Sequence, residues 1–389
     1  MGNVPNLRFP EFTGEWKKCK LKDVCTFYSG GTPSSSNKDY YNGDIPFIRS
    51  GELHSDKTEL FISSKGLKNS SAKMVSKGDL LLALYGATSG DIAISQIEGA
   101  INQAILCIKT DQSKGFIEAT WCKHVKRILQ TYLQGGQGNL SADIVKNIAF
   151  YFAPLKEQEK LTQLMKLLDE RIATQNKIIE DLKKLKSAII DYIFNNEVLS
   201  FRKRIHLSDV ATKITQKNTN NHVSNVLSNS ANQGIIPQSE VFDREIANED
   251  NTSNYFVISP NDFVYNPRKS ATAPYGPINR YYGQTDGVIS PLYLCFRSHN
   301  IDVEYLGWYF KSDSWHKFVY QNGDTGVRHD RVSIKDEIFF SMPLFIHNAD
   351  EQIEIAKRLN KIESFVKQEE QYLFLLESQK LYLLQQMFI

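Results

Sequence analysis

Three glycine-containing stretches in the second half of the chain concentrate side chains that can donate paired hydrogen bonds. They are NSANQG (229–234), YNPRKSATAPYGPINRYYG (265–283) and NGDTGVRHDR (322–331). Guanidinium and amide groups can bind base edges or phosphate oxygens, although the same residue types also gather in ordinary surface turns. The candidate side chains are Asn232, Gln233, Asn266, Arg268, Lys269, Ser270, Tyr275, Arg280, Arg328, His329 and Arg331.

The first half of the chain has three stretches of similar composition at corresponding places. They are GGTPSSSNKDYYNGD (30–44), YGATSGD (85–91) and QGGQGNLS (134–141), and PFIRSGEL adds Arg49 as a possible bidentate donor. Tyrosines in such loops can equally be packing residues. The candidates are Ser35, Asn37, Tyr40, Arg49, Tyr85, Thr88, Ser89, Gln137 and Asn139.

Motifs for several chemistries are missing from the sequence. The Asn/Asp-Pro-Pro-Tyr/Phe motif that holds a flipped adenine does not occur, and the nearest string, YNPRK at Tyr265, lacks the second proline. The phosphate-binding pattern GxxxxGK[ST] is absent as well. Five cysteines form no CxxC pair and no zinc spacing, so we expect reduced thiols and no metal site.

The composition is typical of a globular protein with more than one domain. The chain has 389 residues, of which 41% are hydrophobic and 23% charged. It contains no apolar run of about 18 residues and no signal-peptide layout at its beginning, so we expect a cytoplasmic location. The net charge of +2 does not by itself predict a nucleic-acid partner.

The elements that position these loops are written twice in the sequence. KLKDVCTF (20–27) is echoed by IHLSDVATK (205–213), and MVSKGDLLL by VISPNDFVY, which places Asp79 on Asp262. GAINQAILCIK resembles DGVISPLYLCFR, and FIEATWCKHVK resembles VEYLGWYFKSD, which places Trp121 on Trp308. The alternative is chance similarity between two stretches of mixed structure, but the matches keep their order over the full length.

Each copy ends in a Pro-Leu pair followed by a helix that begins with Glu-Gln. Short β-rich runs and one amphipathic helix precede it, which predicts a mixed α+β domain. The expected fold class is therefore α+β, with two tandem-duplicated domains separated by two long helices that form an antiparallel coiled coil with pseudo-two-fold symmetry. We expect the first domain at 1–155, the first helix at 156–197, the second domain at 198–349 and the second helix at 350–389.

The two helices share one heptad stripe when Glu157 is aligned with Glu351, and the alignment then runs without a gap. Their polar interruptions also fall at equivalent places. At 1.5 Å per residue, about 38 residues make a helix of about 57 Å. The central seam positions are Leu168, Ile172, Gln175, Ile179, Leu182 and Lys186 in the first helix, and Ile362, Val366, Glu369, Leu373, Leu376 and Lys380 in the second.

Antiparallel packing of these stripes predicts a register. If a positions oppose d positions, Lys186 faces Glu369 and Lys380 faces Gln175, so that each polar interruption finds a partner. The alternative is that both lysines extend to solvent from a looser seam.

Taken together, these features resemble the specificity subunits of type I restriction–modification systems. The resemblance covers nearly the whole chain and rests on LRFPEFTGEWKKCKLKDV, NGDIPFIRSGEL, the Pro-Leu and Glu-Gln helix starts, and the domain–helix–domain–helix order. It implies that each globular half reads one half of a bipartite, asymmetric site in double-stranded DNA. It also implies that the helices set the unread spacer.

The resemblance further implies which partners carry out the chemistry. Two methyltransferase subunits would dock on the helices, and two ATP-dependent motor-nuclease subunits would complete the complex. The chain itself would be non-catalytic and hold no cofactor, because S-adenosylmethionine, ATP and Mg²⁺ would belong to those partners. The candidate loop residues then become DNA contacts, and differing loops on similar domains predict different half-sites.

Two other functions remain open at this point. The chain could be a coiled-coil adaptor that binds only proteins, or a stand-alone DNA nuclease whose site has no recognisable motif.

Overall fold

The computed structural model describes residues 3–132, 139–195, 202–240, 252–324 and 330–389. It divides into two compact units: unit 1 comprises Met1–Asn176 with Gln371–Ile389, and unit 2 comprises Lys177–Glu370. Each unit holds one α+β domain and a part of both long helices. Among the described helices, none combines the length and apolar character that a bilayer span requires.

The first domain is built from two four-stranded sheets and a separate strand pair. The strand orders are β2-β9-β6-β7, β4-β3-β8-β5 and β1-β10. The strands are β1 (Lys17–Lys20), β2 (Cys25–Ser29), β3 (Tyr41–Ile48), β4 (Phe61–Ile62), β5 (Lys73–Val75), β6 (Leu80–Ala83), β7 (Ile92–Ile94), β8 (Gly99–Ile101), β9 (Ile105–Thr110) and β10 (Ala149–Phe152). The helices are α1 (Leu21–Val24), α2 (Ser64–Lys68), α3 (Lys114–Tyr132), α4 (Ala142–Asn147) and the long α5 (Leu155–Asn195).

The second domain repeats this topology strand for strand. Its orders are β12-β19-β16-β17, β14-β13-β18-β15 and β11-β20. The strands are β11 (Lys203–His206), β12 (Ala211–Lys213), β13 (Val226–Ser230), β14 (Gly234–Pro237), β15 (Phe256–Ile258), β16 (Phe263–Tyr265), β17 (Ile278–Arg280), β18 (Gly287–Ile289), β19 (Leu294–Ser298) and β20 (Pro343–Ile346). The helices are α6 (Val303–Phe310), α7 (His316–Asn322), α8 (Asp336–Phe340) and the long α9 (Ala349–Met387). The predicted α+β class and two-domain layout are confirmed.

Matching hydrogen bonds support the duplication at the level of single residues. Buried Asp79 accepts the Ser76 N–H at 2.9 Å, and buried Asp262 accepts the Ser259 N–H at 2.7 Å. Each carboxylate also pairs with a cation from the neighbouring strand, at 2.5 Å from Lys109 Nζ in the first domain. In the second domain Arg297 Nε has the same role at 2.7 Å.

The Glu-Gln helix starts attach each long helix to its domain. Gln158 Oε1 accepts the Ser113 N–H at 3.1 Å, and Gln352 Oε1 accepts the Asp302 N–H at 3.0 Å. Both amides also donate to a backbone carbonyl of the preceding turn, that of Ala153 at 2.7 Å and that of His347 at 2.8 Å. The repeated glutamine therefore fixes the beginning of the helix against the domain that precedes it.

These bonds correct one detail of the predicted repeat. They equate Ser113 with Asp302, and the same alignment, continued along the helix, places Phe310 rather than Trp308 at the position of Trp121. The predicted pairing of the two tryptophans was therefore wrong in register. Both tryptophans are buried, but aromatic residues are so frequent in this core that one Trp is a poor marker of alignment.

The two long helices run antiparallel within each unit. In unit 2, Lys183 pairs with Glu370 and Lys186 with Glu363, both at 2.6 Å, so residue numbers rise along α5 as they fall along α9. In unit 1, Asp169 pairs with Lys380 and Arg171 with Tyr372, so residue numbers again rise along α5 as they fall along α9.

Burial along both helices follows the heptad stripe. Gln175, Ile179, Val366 and Leu376 are buried. The other central seam positions are half-buried; they are Leu168, Ile172, Leu182, Lys186, Ile362, Glu369, Leu373 and Lys380.

The predicted partners of the seam lysines were wrong. Lys186 binds Glu363 rather than Glu369, and Lys380 binds Asp169 rather than Gln175. A lysine stem can lie along the seam while its ammonium reaches a carboxylate at the seam edge, so position in the heptad does not fix the partner.

Candidate nucleic-acid interface

The structure brings the second-domain candidate loops together. Lys269 N–H donates to the Asp330 carbonyl at 2.8 Å, and Val332 N–H donates to the Pro267 carbonyl at 2.9 Å. A third link joins the 229–234 turn to the loop after β16, because Thr272 Oγ1 donates to Asn232 Oδ1 at 2.8 Å. We call residues 230–234, 267–276 and 330–331 the second-domain loop surface.

Two arginines of this surface form only loose ion pairs with the described residues. The Arg268 side chain is 69% exposed, and its Nε lies 4.0 Å from Asp330 Oδ2. Arg331 Nε lies 3.9 Å from the same carboxylate. Both distances are too long for a hydrogen bond, so the guanidinium donors can still bind a ligand. Asn232, Gln233 and Ser270 are exposed beside them, and Lys269 is half-buried.

Arg280 does not belong to this surface, contrary to the sequence prediction. Its side chain is only 8% exposed, and Nη1 lies 2.7 Å from Glu304 Oε1. Nε donates to Asn261 Oδ1 at 3.0 Å, and the guanidinium lies over the Tyr282 ring at 4.6 Å. A cation with these partners inside its own domain is not offered to DNA.

Tyr275 and Asn266 also have structural roles. The Tyr275 ring is half-buried and packs at 5.0 Å from the His316 ring, which favours the packing alternative. Asn266 engages both ends of its amide, donating to the Asn229 carbonyl at 2.9 Å and accepting the Arg268 N–H at 3.0 Å. These bonds give Asn266 a structural role within the loops, and the predicted base contact by its remaining donor and lone pair stays a prediction.

Sequence reasoning missed the amides beneath this surface. Asn229 in β13 is buried and donates to the Val264 carbonyl at 2.8 Å, while Asn279 in β17 donates to Asn229 Oδ1 at 2.7 Å. The available signal was their position, since asparagine is depleted in strands and two of them in short strands indicate a specific polar contact.

In the first domain the loop after β6 lies against the described end of the third stretch. Leu140 N–H donates to the Leu84 carbonyl at 2.7 Å, and Ser89 Oγ donates to the same carbonyl at 3.0 Å. Tyr85, Thr88 and Ser89 are half-buried, and Asn139 is exposed. Gln137, Arg328 and His329 lie outside the described residues.

The first candidate stretch meets a residue that the sequence did not single out. Thr32 Oγ1 hydrogen-bonds exposed Gln103, in the turn between β8 and β9. Ser35 is exposed and Tyr40 half-buried. Asn37 accepts the Asp39 N–H at 3.1 Å and thereby begins a short helical turn.

Arg49 is held by two carboxylates instead of being free to read a base. Nη2 donates to Glu52 Oε1 at 2.9 Å and to Glu59 Oε2 at 2.7 Å. These bonds raise the pKa of Arg49 further above its ordinary value. Burial alone would raise the pKa of Glu52, but the bonds from Arg49, two backbone N–H groups and Thr58 outweigh it and lower the pKa to about 2. The predicted bidentate contact is therefore not supported.

The first domain matches a family of known proteins. Residues 13–184 match a family model described as the type I restriction modification DNA specificity domain. The match spans most of the first domain and the first part of α5. The resemblance inferred from the sequence is thus confirmed.

Relatives of this chain include two curated proteins from Methanocaldococcus jannaschii. The type I restriction enzyme MjaVIII specificity subunit is 24% identical over 206 residues, which cover 51% of this chain and 46% of the relative. The MjaIX specificity subunit is 26% identical over 200 residues, covering 47% and 46%. The chain therefore spans about half the length of the curated relatives it matches.

Solved structures share the fold over nearly the full chain. The crystal structure of a type I restriction-modification S subunit from M. genitalium has a TM-score of 0.59 at 12% identity, covering 99% of each chain. A second structure, from work on complex assembly and conformational transition of the type I R-M system, has a TM-score of 0.61 at 14% identity, covering 95% of this chain and 96% of its own.

The first and second domains present different chemistry on one topology. The described candidate residues of the first domain other than Arg49 offer hydroxyl and amide groups, and Arg49 itself is bound by Glu52 and Glu59. The loop surface of the second domain offers the guanidinium groups of Arg268 and Arg331.

Proposed function

We propose that this chain is the DNA specificity subunit of a type I restriction–modification system. It recognises a bipartite, asymmetric site in double-stranded DNA, with one half-site for each domain. The observation that supports this most strongly is the pair of domains with identical strand orders and different loops, the first of which matches the DNA specificity domain family. A duplicated frame with diverged loops suits a protein that reads two unlike sequences.

The chemistry of the loops supports an asymmetric site. Arginine binds guanine O6 and N7 in a bidentate manner, whereas asparagine, glutamine and hydroxyl groups suit adenine or several bases. Arg268 is exposed in the second domain, while Thr88, Ser89 and Asn139 line the corresponding loops of the first. The two half-sites should therefore differ in base composition.

The long helices would set the unread spacer and dock the other subunits. Helix α5 is continuous over 41 residues, and its first part belongs to unit 1 and its last part to unit 2. In unit 2, an apolar groove of about 700 Å³ beside the seam is lined by residues including Leu182, Leu185, Ile362 and Phe365. Such a groove supports the docking of a methyltransferase subunit on the helices.

The chain targets the reaction and does not catalyse it. Two methyltransferase subunits would contribute S-adenosylmethionine-dependent methylation, and two restriction subunits would contribute ATP- and Mg²⁺-dependent translocation and cleavage. The chain itself would bind DNA and the partner subunits without a cofactor of its own.

The test compares N6-methyladenine maps of cells that express the partner subunits with and without this chain. Methylation at one sequence motif should appear only with the chain. An unchanged map would contradict the proposal and favour the adaptor. Purified chain alone, incubated with DNA and either Mg²⁺ or S-adenosylmethionine, should neither cut nor methylate, and either activity would favour an enzyme.

A further inference from the structure

A connected set of amides lies directly beneath the second-domain loop surface. Asn229 is buried, with its Nδ2 donating to the Val264 carbonyl at 2.8 Å and its Oδ1 accepting from Asn279 at 2.7 Å. Asn279 also donates to the Ser230 carbonyl at 3.1 Å. These bonds tie β13 to β16 and β17, which belong to the other four-stranded sheet of the domain.

Asn266 connects this set to Arg268. It directly follows β16, and its backbone N–H donates to the Pro277 carbonyl at 2.9 Å. Its Nδ2 donates to the Asn229 carbonyl at 2.9 Å, while its Oδ1 accepts the Arg268 N–H at 3.0 Å. The last bond closes an Asx-turn, which fixes the direction in which the chain leaves the strand.

The other side of Arg268 is held as well. Its backbone forms an antiparallel bridge with Arg331, and the next residue, Lys269, donates to the Asp330 carbonyl at 2.8 Å. The backbone of Arg268 is thus fixed from two sides, while its side chain stays 69% exposed. Selective contacts need supports of this kind, because a shift of about 1 Å is enough to spoil a bidentate geometry.

We propose that Asn266 is a positioning residue for DNA specificity, which holds Arg268 where its guanidinium reads one base of the second-domain half-site. This inference rests on the proposed function. It is confined to one half-site, because the alignment that equates Asp79 with Asp262 places Ala83 and Tyr85 at the positions of Asn266 and Arg268.

The experiment measures methylation of duplex DNA by the complex of this chain with its methyltransferase subunits. Each base of the cognate site is varied in turn, and every variant is compared with the wild-type chain. The variants are Arg268→Ala, Asn266→Ala, Asn266→Ser, the double variant Asn266→Ala/Arg268→Ala and the control Asn254→Ala. Asn254 is an exposed asparagine of the same domain outside the amide set. Melting temperatures are recorded for all of them.

Arg268→Ala should reduce discrimination at one base position by about 5- to 150-fold, the range of one bidentate contact. Asn266→Ala should reduce it at that same position by about 2- to 12-fold, as expected for one hydrogen bond. The double variant should match Arg268→Ala, and Asn254→Ala should match the wild type. Asn266→Ser keeps an oxygen for the Arg268 N–H, so it should reduce discrimination at the same base position less than Asn266→Ala does. If Asn266→Ala strongly lowers the melting temperature, Asn266→Ser is the deciding variant.

The inference would be overturned if Asn266→Ala reduced discrimination at a different base or at none. Additive losses of discrimination in the double variant would overturn it too, because Asn266 would then act independently of Arg268. An Arg268→Ala chain with unchanged discrimination would overturn it as well. In all these cases, methylation that still depends on the chain would leave the proposed function standing. Methylation that does not depend on the chain would instead refute the proposed function.

Discussion

The ammonium of Lys186 donates to Glu363 Oε2 at 2.6 Å, which joins α5 to α9 within unit 2. The alignment of the two helices that equates Glu157 with Glu351 also equates Lys186 with Lys380 and Asp169 with Glu363. Lys380 and Asp169 form the corresponding ion pair in unit 1. The duplication therefore extends to the contact that sets the register of the helices in each unit.

Breaking the Lys186–Glu363 pair should destabilise the helix pair of unit 2. Both side chains are largely covered, at 20% and 26% exposure, so either Lys186→Met or Glu363→Gln should lower the free energy of unfolding by about 1–2 kcal/mol. A double-mutant cycle in urea measures the coupling. Lys184, which forms an exposed pair with Glu180, is the matched control, and Lys184→Met should cost less than about 0.5 kcal/mol. Equal effects at both lysines would contradict a special role of the seam pair.

Acid should weaken the first domain through Glu52. Because its folded pKa, about 2, lies below the ordinary 4.5, its contribution is fully present above about pH 4.5 and is lost as the pH falls toward 2. The difference of about 2.5 between the two pKa values corresponds to at most about 3.4 kcal/mol. Glu52→Gln should therefore destabilise the protein at pH 7 and flatten the fall in stability between pH 5 and pH 3, as measured by urea unfolding. A wild-type slope in the variant would assign the acid sensitivity to other groups.

Gly276 should tolerate no side chain. Its φ is +81°, and a Cβ would lie 2.0 Å from the Asn266 carbonyl oxygen, so Gly276→Ala combines backbone strain with a backbone clash. We expect a loss of more than about 2 kcal/mol in the free energy of unfolding. Gly234 has a similar φ of +77° with open space around it, so Gly234→Ala should lose only about 1–2 kcal/mol. Equal losses of stability in the two variants would show that the close contact with the Asn266 carbonyl oxygen is unimportant.

Lys269 and Arg268 should affect binding in different ways. If Lys269 meets a phosphate, Lys269→Ala should weaken binding to all sequences alike and reduce the slope of log K against log salt by about 1. Arg268→Ala should instead relax one base position. Titrations of cognate and scrambled duplexes at several salt concentrations separate the two effects, and a base-selective loss in Lys269→Ala would contradict the phosphate assignment.

Lengthening both long helices should lengthen the spacer. One heptad inserted after Asn176 and one after Glu370 keep the seam in phase and add about 10 Å at 1.5 Å per residue. That corresponds to about three base pairs of duplex DNA at 3.4 Å each. The methylated motif should keep both half-sites and gain unread bases between them, and an unchanged spacer would refute the role of the helices in spacing.

Much of the fold follows from periodicity and repetition. The heptad stripe predicted which helix residues are covered, and the strand-like runs predicted two α+β domains, because burial imposes a period on the sequence. The partners of Lys186 and Lys380 did not follow, since long flexible side chains reach carboxylates at several heptad positions. The sequence also paired Trp121 with Trp308, whereas the structure pairs it with Phe310. Several aromatic side chains fill one core, so a single aromatic residue does not fix the alignment.

The candidate site was predictable as a set of loops but not as individual contacts. The sequence indicated the stretches around Arg268, Asn232 and Arg331 as candidates, and the structure places them on one surface. The sequence could not distinguish exposed Arg268 from buried Arg280. Glu304, the partner of Arg280, belongs to a different element, helix α6. Internal pairing depends on tertiary contacts that leave no local pattern.

The most direct test of the whole account is the methylated motif itself, read by single-molecule sequencing for N6-methyladenine in cells that express this chain with its partners. We predict two different half-sites separated by a constant number of unread bases, with methylation that disappears when the chain is removed. A continuous motif, or one half-site repeated as an inverted copy, would contradict the claim that two diverged domains read two different sequences.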